Sequence, residues 1–173
     1  MSEPAARFST QLAALEDTAA FAVRLGEELQ PGDLILLEGD LGAGKTTFVQ
    51  GLARGMGLAA AVKSPTYTLV HEYRGLGRPG LGHVDLYRMP PGRDLSDLGL
   101  DDLLARGPVA VEWGGRLFDG RADALLVRLR GPDADQGPEW RAVDLDARGP
   151  RGDALFALAM AWLRQTMTPP PPA

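Results

Sequence analysis

Helical spacing of apolar residues recurs in four stretches of the chain. In the clearest of them Phe48, Leu52 and Met56 lie four residues apart, so they share one face of a predicted helix. An earlier stretch is capped by Asp17-Thr18 and halted by Pro31-Gly32. The predicted helices cover residues 17–29, 46–56, 95–104 and 153–165.

Stretches with strand character are more numerous than the predicted helices. The run Leu34-Ile35-Leu36-Leu37 is apolar without interruption, which is typical of a buried strand. Two pairs of stretches are joined by segments rich in glycine and proline, and each pair predicts an antiparallel hairpin. The hairpins are 67–73 with 82–87 and 125–129 with 140–145, and further short strands are expected at 7–12 and 108–112. Because only some strands alternate with helices, we predict a mixed sheet with helices packed on it.

Length and composition predict a single globular domain. The chain has 173 residues, 45% of them apolar, which is enough to build a core without metals or cross-links. We place the domain at 1–167 and expect the proline-rich end, 168–173, to be a frayed tail. No apolar run approaches the roughly 18–20 residues that span a bilayer, and the N-terminus lacks the apolar core of a secretory signal. We therefore expect a cytoplasmic protein that does not bind membranes.

Residue types that are scarce or missing exclude several kinds of chemistry. The chain has no cysteine, which excludes disulfides, thiolate metal sites and cysteine nucleophiles. Its only histidines are His71 and His83, which disfavours a histidine-based zinc site. The formal net charge of −5 is unfavourable for tight, sequence-independent binding to a nucleic-acid backbone. The charge therefore disfavours a stand-alone nucleic-acid binder.

The segment from Gly39 to Thr46 carries the strongest chemical signal in the sequence. It reads G-D-L-G-A-G-K-T and matches the phosphate-loop pattern G-x-x-x-x-G-K-[ST]. A buried strand leads into it and a helix starts at its end, so backbone N–H groups and the positive end of the helix dipole converge on one concavity that suits a polyphosphate. We assign Lys45 to the β- and γ-phosphates and the Thr46 hydroxyl to Mg²⁺. The alternative is a glycine-rich turn that only connects strand to helix.

The absence of asparagine helps to choose the base. Phosphate-loop GTPases usually read guanine with an N-K-x-D or T-K-x-D segment. The chain has no asparagine, and neither of its lysines, Lys45 and Lys63, is followed two residues later by aspartate. A conventional GTPase is therefore disfavoured, and we predict ATP as the nucleotide.

Two acidic residues near strand ends are candidates for holding the metal and for placing the attacking water. Glu112 ends a short apolar strand, which is where a metal-site carboxylate emerges beside a phosphate loop. Alternation along the next candidate strand places Asp85 on the same face as His83 and Tyr87. The alternative for each is an ordinary solvated acid.

Three further positions are candidates for the same site. Thr66 follows the helix after the phosphate loop, where several nucleotide switches place a hydroxyl that senses Mg²⁺ and the γ-phosphate, and Thr68 is the second choice. The alternative is an edge strand in which threonine serves β-propensity alone. Trp113, next to Glu112, is either an aromatic wall of the site or a core residue.

Four motifs in this order resemble the TsaE family. They are G-D-L-G-A-G-K-T-T, S-P-T-Y-T-L-V, H-V-D-L-Y-R and V-E-W, and the resemblance runs from about Thr18 to Arg116. Members of that family, formerly known as YjeE, are small bacterial ATPases of tRNA N6-threonylcarbamoyladenosine (t6A) synthesis. The segment after Leu117 matches only in general character.

The resemblance implies a P-loop NTPase-like α/β fold with three layers and a mixed sheet of about seven strands. It also implies hydrolysis of Mg·ATP that is slow in isolation and is needed in the complex that transfers threonylcarbamoyl to adenosine 37 of tRNAs reading ANN codons. The implied partners are the transferase TsaD and its inactive paralogue TsaB. The chain would reach tRNA only through that complex, and the charge of −5 is compatible with such an indirect role.

The resemblance further implies which residues form the site. Mg²⁺ is expected on Thr46 and Glu112, and Asp85 and Thr66 are expected to complete the hydrolytic site with Trp113 beside them. The phosphates are expected on Leu41, Gly42, Ala43, Gly44, Lys45, Thr46 and Thr47. Adenine contacts are expected around Leu15 and Gly137.

Two other functions stay open at the level of sequence. Phosphate-loop kinases can be this short, but a kinase needs an acceptor pocket and commonly an arginine-bearing lid. The only candidate lid is 74–93, which reads more simply as a hairpin. The non-enzymatic alternative is a nucleotide-sensing module whose ATP occupancy only controls assembly.

Overall fold

A mixed seven-stranded sheet runs through the computed structural model of the chain. The structure describes residues 8–12, 14–58, 62–63, 65, 68–90, 98–131 and 141–166. The strands are β1 (Phe8–Leu12), β2 (Leu34–Glu38), β3 (Val70–Tyr73), β4 (Leu81–Asp85), β5 (Val109–Glu112), β6 (Ala124–Arg130) and β7 (Arg141–Arg148). Their order across the sheet is β1-β7-β6-β2-β5-β4-β3.

The centre of the sheet is parallel and its borders are antiparallel. Strand β2 pairs in parallel with β5 and β6, and β4 pairs in parallel with β5. The hairpins β3–β4 and β6–β7 are antiparallel, as is the pair of β1 with β7. Both predicted hairpins and the predicted mixed sheet are therefore confirmed.

Helices cover both faces of the sheet and complete three layers. They are α1 (Leu15–Glu27), α2 (Lys45–Gly55), α3 (Leu100–Arg106), α4 (Gly149–Thr166) and a 3-10 helix (Gly115–Gly120). Helices α1, α2 and α4 share one core with one face of the sheet, while α3 and the 3-10 helix pack on the other face. None of the helices among the described residues is both long enough and apolar enough to cross a membrane.

The unbroken apolar run of β2 follows from its central place between the two layers. Ile35 and Leu37 belong to the core under α1 and α2, whereas Leu34 and Leu36 belong to the core on the opposite face. Both sets are buried, so polar residues have no place on either side of this strand. The strand therefore holds the loop that follows it on a rigid, fully buried support.

Close contact between α1 and α2 depends on small residues at the crossing. A Cβ atom on Gly26 of α1 would lie 2.3 Å from the carbonyl oxygen of Leu52 in α2. A Cβ atom on Gly51 of α2 would likewise lie 2.5 Å from the Cβ of Ala22. The two backbones therefore touch, and α1 braces the helix that starts at the glycine-rich loop.

We expect Gly26→Ala to destabilise the protein by about 1–3 kcal/mol, because the new methyl group collides with backbone that cannot move aside. Helix propensity alone predicts the opposite sign, a gain of about 1 kcal/mol. Chemical denaturation measures the change in the free energy of unfolding. The control is Gly120→Ala, since a Cβ atom there meets nothing within 4 Å. A Gly26→Ala variant as stable as the natural chain would contradict the packing described here.

The starts of two helices differ from the sequence prediction. Helix α1 begins at Leu15 rather than after Asp17-Thr18, and the Asp17 carboxylate accepts a hydrogen bond from the Ala14 backbone N–H at 3.0 Å. Asp17 therefore caps the helix from its first turn. Helix α4 begins at Gly149 rather than at Asp153, because the Asp123 carboxylate accepts hydrogen bonds from the backbone N–H groups of Arg151 and Gly152.

Several other boundaries are also corrected. Strand β4 ends at Asp85, because its carboxylate accepts a hydrogen bond from the Tyr87 backbone N–H and closes a turn. Strand β3 begins only at Val70, after Leu69 with a φ of 64°. Helix α3 is shorter than the predicted helix 95–104, and it ends at Arg106, two residues after the predicted end. Residues 91–97 lie outside the described residues. The 3-10 helix has no counterpart in the sequence prediction, and the predicted tail, 168–173, also lies outside the described residues.

Candidate phosphate-binding site

The candidate site lies where three parallel strands end at one edge of the sheet. Glu112, the last residue of β5, is in register with Leu37 of β2 on one side and with Asp85 of β4 on the other. The glycine-rich loop leaves β2 at the same edge. The crevice at the carboxyl ends of parallel strands is the usual ligand site of open α/β sheets. The strand order thus brings the loop and both predicted carboxylates together.

Two glycines fix the path of the loop between β2 and α2. Gly44 precedes the helix with a φ of 102°, a left-handed conformation that side chains other than glycine rarely adopt. A Cβ atom on Gly39 would lie 2.3 Å from the carbonyl oxygen of Leu129 on β6. Helix α2 starts at Lys45, directly after Gly44, so the amino terminus of an 11-residue helix faces the loop. This is the arrangement that binds phosphate with backbone N–H groups.

Lys45 is buried at the centre of the loop. Its Nζ donates hydrogen bonds to the carbonyl oxygens of Gly39 at 2.5 Å and Asp40 at 2.9 Å. It also lies 3.8 Å from the centre of the Trp113 ring. An ammonium has three N–H donors, so one is left for a ligand. Burial lowers the pKa of Lys45, and the carboxylates around the site oppose that shift, Glu112 most strongly.

Thr46 and Glu112 are joined directly. The Thr46 hydroxyl donates a hydrogen bond to Oε1 of Glu112 at 2.8 Å. Nε2 of His83 lies 2.8 Å from the same oxygen, and its side chain is fully buried. The structure thus brings together the two residues predicted to bind Mg²⁺, which are 66 positions apart in the sequence.

Asp85 is buried beside Glu112 at the end of β4. One of its carboxylate oxygens accepts the Tyr87 backbone N–H at 2.9 Å. Its own backbone N–H donates to the carbonyl oxygen of Leu69 at 3.0 Å, which ties the strand end to the segment before β3. The carboxylate therefore has a fixed orientation within the site.

Trp113 forms a wall of the site and also packs against the edge of the core on the α3 side of the sheet. Its φ of 59° is in the left-handed region, which is strained for a bulky residue. This turn directly after Glu112 lays the ring against Lys45 and 5.1 Å from the ring of Tyr87. A cavity of about 380 Å³ lies between this wall and the loop, and its lining residues are Leu41, Gly42, Gly44, Lys45, Thr46, Thr47, Asp85, Tyr87, Glu112 and Trp113.

Other predicted site residues have different positions. Ala43 is buried in the core, with its backbone N–H donating to the carbonyl oxygen of Asp40 at 3.1 Å. Leu15 lies beside the loop, since a Cβ atom on Gly44 would be 3.9 Å from its Cδ1. Neither residue lines the cavity. Thr66 and Gly137 lie outside the described residues, so their roles stay predictions.

Two residues of the site were not assigned by the sequence analysis. His83 contacts Glu112, and Tyr87 lines the cavity with 51% of its surface exposed. The alternation along the predicted strand, which places both residues on the same face as Asp85, could have indicated them. Thr68, the second choice for a sensing hydroxyl, does not line the cavity.

A second cavity, of about 440 Å³, lies between the β3–β4 hairpin and the end of α3. It is slightly larger, but none of the predicted site residues lines it. Its arginines include Arg106, which is paired with Glu72, and Arg78, which donates to the carbonyl oxygen of Met56. The phosphate loop and the buried carboxylates point to the smaller cavity as the chemical site.

The oxygens of Thr46 and Glu112 fit a magnesium ion. Mg²⁺ in nucleotide sites is commonly held by one or two protein oxygens together with phosphates and water. Among the described residues, no group of three or more histidine, aspartate or glutamate side chains is placed to hold a metal by itself. The donor set of Thr46 and Glu112 therefore suits a metal whose coordination is completed by phosphate and water.

A buried strand, a glycine-rich loop and a helix that starts with Lys45 and Thr46 define a P-loop NTPase-like α/β protein. Comparison with known proteins agrees with this class. The crystal structure of YdiB from Bacillus subtilis superposes with a TM-score of 0.71 and 31% sequence identity, covering 93% of this chain and 99% of that one.

Sequence comparison gives the family. The family described as "Threonylcarbamoyl adenosine biosynthesis protein TsaE" matches residues 12–136. The "tRNA threonylcarbamoyladenosine biosynthesis protein TsaE" of Streptomyces coelicolor is 41% identical over 131 residues, which cover 74% of this chain and 88% of the relative. The protein of the same name from Bacillus subtilis is 46% identical over 99 residues, covering 57% of this chain and 61% of the relative. The chain belongs to the TsaE family, which takes part in tRNA t6A biosynthesis.

Proposed function

We propose that this chain binds and hydrolyses Mg·ATP, and that this hydrolysis is required for t6A formation at position 37 of tRNAs that read ANN codons. Its partners in this proposal are a TsaD-type threonylcarbamoyl transferase and a TsaB-type paralogue, and tRNA is reached only through their complex. Membership of the TsaE family supports the pathway. The net charge of −5 is consistent with binding to protein partners and disfavours direct binding of the chain to tRNA.

The observation that carries the proposal is the hydrogen bond between Thr46 and Glu112 in the same cavity as Lys45. A phosphate loop alone supports nucleotide binding. A buried carboxylate joined to the loop threonine adds a place for the metal on which phosphoryl transfer depends. When bound, Mg²⁺ would neutralise charge on the β- and γ-phosphates and orient them.

The remaining residues of the cavity have complementary roles in this proposal. Lys45 binds the terminal phosphates with its third N–H donor. Asp85 orients the attacking water or accepts its proton, because it is the second carboxylate of the cavity and its orientation is fixed by the turn at Tyr87. Trp113 and Tyr87 limit the access of bulk water to one side of the site.

Hydrolysis is favoured over transfer of phosphate to a small metabolite. The candidate lid of a kinase was 74–93, and its part up to Asp85 belongs to the antiparallel hairpin β3–β4, whose strands are in the sheet. Residues 91–93 lie outside the described residues. If the purified protein transferred phosphate from ATP to a metabolite instead of releasing it, the proposed activity would be that of a kinase and not of a hydrolase.

The test of the proposed function is the t6A content of tRNA in cells that carry Glu112→Gln as their only copy of this protein. We expect t6A to fall to the level of a strain without the gene, although the variant still binds ATP. The matched control is Glu38→Gln, because Glu38 accepts the Gly115 backbone N–H and does not line the nucleotide cavity. Normal t6A with Glu112→Gln would mean that the chain is an assembly module for which ATP hydrolysis is not needed.

We expect Asp85→Asn to lower the rate of ATP hydrolysis by about a hundredfold to a thousandfold, within the range that a general base typically contributes to a rate. Asparagine keeps an oxygen for the Tyr87 N–H, so the turn stays and only the charge and basicity are lost. ATP affinity should change little. Single-turnover phosphate release and calorimetric titration separate the two quantities, with Asp102→Asn on the exposed side of α3 as the control. Normal turnover in Asp85→Asn would remove Asp85 from the mechanism.

The fluorescence of Trp113 is expected to change when nucleotide binds, because its ring contacts Lys45 and lines the cavity. Titration with ATP in the presence of Mg²⁺ measures the change. Because Trp140 is close in sequence to the expected adenine contact at Gly137, the titration is made in a Trp140→Phe background. There Trp113→Phe should abolish the change, whereas Trp162→Phe should leave it, since Trp162 stacks on Phe21 at the α1–α4 contact. A nucleotide-dependent signal that survives without Trp113 and Trp140 would place the nucleotide elsewhere.

A further inference from the structure

The side chain of His83 is fully buried, and its two ring nitrogens differ in their hydrogen bonding. Nε2 lies 2.8 Å from Oε1 of Glu112. Nδ1 has no hydrogen-bond partner among the residues that the structure describes. Buried polar atoms are normally paired, so an orphaned nitrogen at this depth calls for an explanation.

We infer that His83 is a positioning residue that holds Glu112 in the orientation needed to receive the metal of Mg·ATP. This inference rests on the proposed function. A carboxylate can only accept, so the short contact requires a proton on Nε2, and Nε2–H donates to Oε1. Nδ1 has no partner among the described residues, so the hydrogen bonding of the ring within this part of the chain is directed at Glu112 alone.

The side-chain hydrogen bonds that the described residues donate to the Glu112 carboxylate all reach the same oxygen. Oε1 accepts from Thr46 and from His83. Oε2 accepts no hydrogen bond from the described residues. Two donors on Oε1 therefore fix the carboxylate and leave Oε2 available to a metal ion or to a water bound to it. Partners that orient a ligating group in this way typically contribute tenfold to a hundredfold in metal affinity.

The sheet keeps His83 in place without help from Nδ1. His83 is in register with Ala110 of β5, whose small side chain leaves room for the imidazole beside Glu112, two residues farther along the same strand. On the other side it is in register with His71 of β3, and the Tyr73 ring lies 6.1 Å from the His83 ring. The ring is therefore oriented by packing, and within the described part of the chain its hydrogen bond goes to Glu112.

The test measures metal binding directly. Mn²⁺ binding to the protein with a non-hydrolysable ATP analogue is followed by electron paramagnetic resonance, for the natural chain and for His83→Gln, His83→Asn and His83→Leu. The glutamine amide can reach the position of Nε2, whereas the asparagine amide stops near Nδ1 and leucine has no donor. We expect the dissociation constant for Mn²⁺ to rise about tenfold or more in the asparagine and leucine variants and to return most of the way to normal in the glutamine variant.

Two controls separate positioning from packing. Metal-free affinity for the analogue should be unchanged in every variant, and His71→Gln should bind Mn²⁺ as the natural chain does. If His83→Leu does not fold, the comparison of His83→Asn with His83→Gln still tests the inference. Normal Mn²⁺ affinity in His83→Asn, or equal loss in the asparagine and glutamine variants, would overturn the inference. Failure of the natural chain itself to bind Mn²⁺ with the analogue would overturn the proposed function as well, so the two failures are distinguishable.

Discussion

Lys45→Ala is expected to weaken ATP binding by about a hundredfold or more. Lys45 is the only lysine in the cavity, and a charge-assisted hydrogen bond to the terminal phosphates contributes about 1.5–3 kcal/mol before the longer-range attraction is added. The effect should be large because the ammonium is buried, so the charge is poorly screened by water. Isothermal titration calorimetry with ATP and Mg²⁺ measures the loss.

The chain offers a matched control for this experiment. Lys63 is its only other lysine, and its side chain is exposed, so Lys63→Ala should bind ATP as the natural chain does. Lys45→Ala also removes the donors to the carbonyl oxygens of Gly39 and Asp40. Thermal unfolding without nucleotide therefore has to accompany the titration. Unchanged ATP affinity in a folded Lys45→Ala variant would refute the assignment of this loop as the phosphate site.

Glu112→Gln is expected to reduce ATP hydrolysis by about a hundredfold to a thousandfold while ATP affinity changes only a few-fold. The substitution is close to isosteric, and the amide oxygen can still accept from Thr46 and His83. The negative charge is lost, and with it the group that would hold or orient the metal. Rates measured across a range of Mg²⁺ concentrations should show a higher Mg²⁺ requirement as well as a lower maximum.

The control for the lost charge is again Glu38→Gln, which changes a carboxylate near Lys45 outside the nucleotide cavity. Its hydrolysis rate should stay within a few-fold of the natural chain. If Glu112→Gln hydrolysed ATP at the normal rate and with the normal Mg²⁺ dependence, the hydrogen bond between Thr46 and Glu112 would be structural only.

Elements with a local signal could be predicted from the sequence. A buried strand, a glycine-rich loop and a helix follow one another within about twenty residues, and the structure contains β2, the loop and α2 in that order. The two hairpins were also predictable, because each needs only two neighbouring strands and a turn. The unbroken apolar run of β2 indicated a strand buried on both faces, which is its place at the centre of the sheet.

Features that depend on distant residues were not predictable in this way. Helix α4 starts early because Asp123, nearly thirty residues upstream, accepts hydrogen bonds from its first turn. His83 contacts Glu112 across 29 positions, and no local pattern distinguishes this histidine from one that only packs in a strand. Thr46 was a metal-site candidate from the loop motif and Glu112 from its place at a strand end, and the resemblance to a family assigned Mg²⁺ to both. Their direct hydrogen bond was not predicted, since spacing alone does not place a residue of β5 beside the start of α2. The 3-10 helix lacks apolar periodicity because it is only six residues long.

The measurement that tests the central claim most directly is phosphate release from Mg·ATP by the purified chain, alone and with the TsaD-type and TsaB-type proteins of the same organism. We predict slow release by the chain alone, a clear acceleration when both partners are present, and no acceleration with Glu112→Gln. A rate that does not respond to the partners, or an equal acceleration of the natural chain and of Glu112→Gln, would contradict ATP hydrolysis by this site as its contribution to t6A formation.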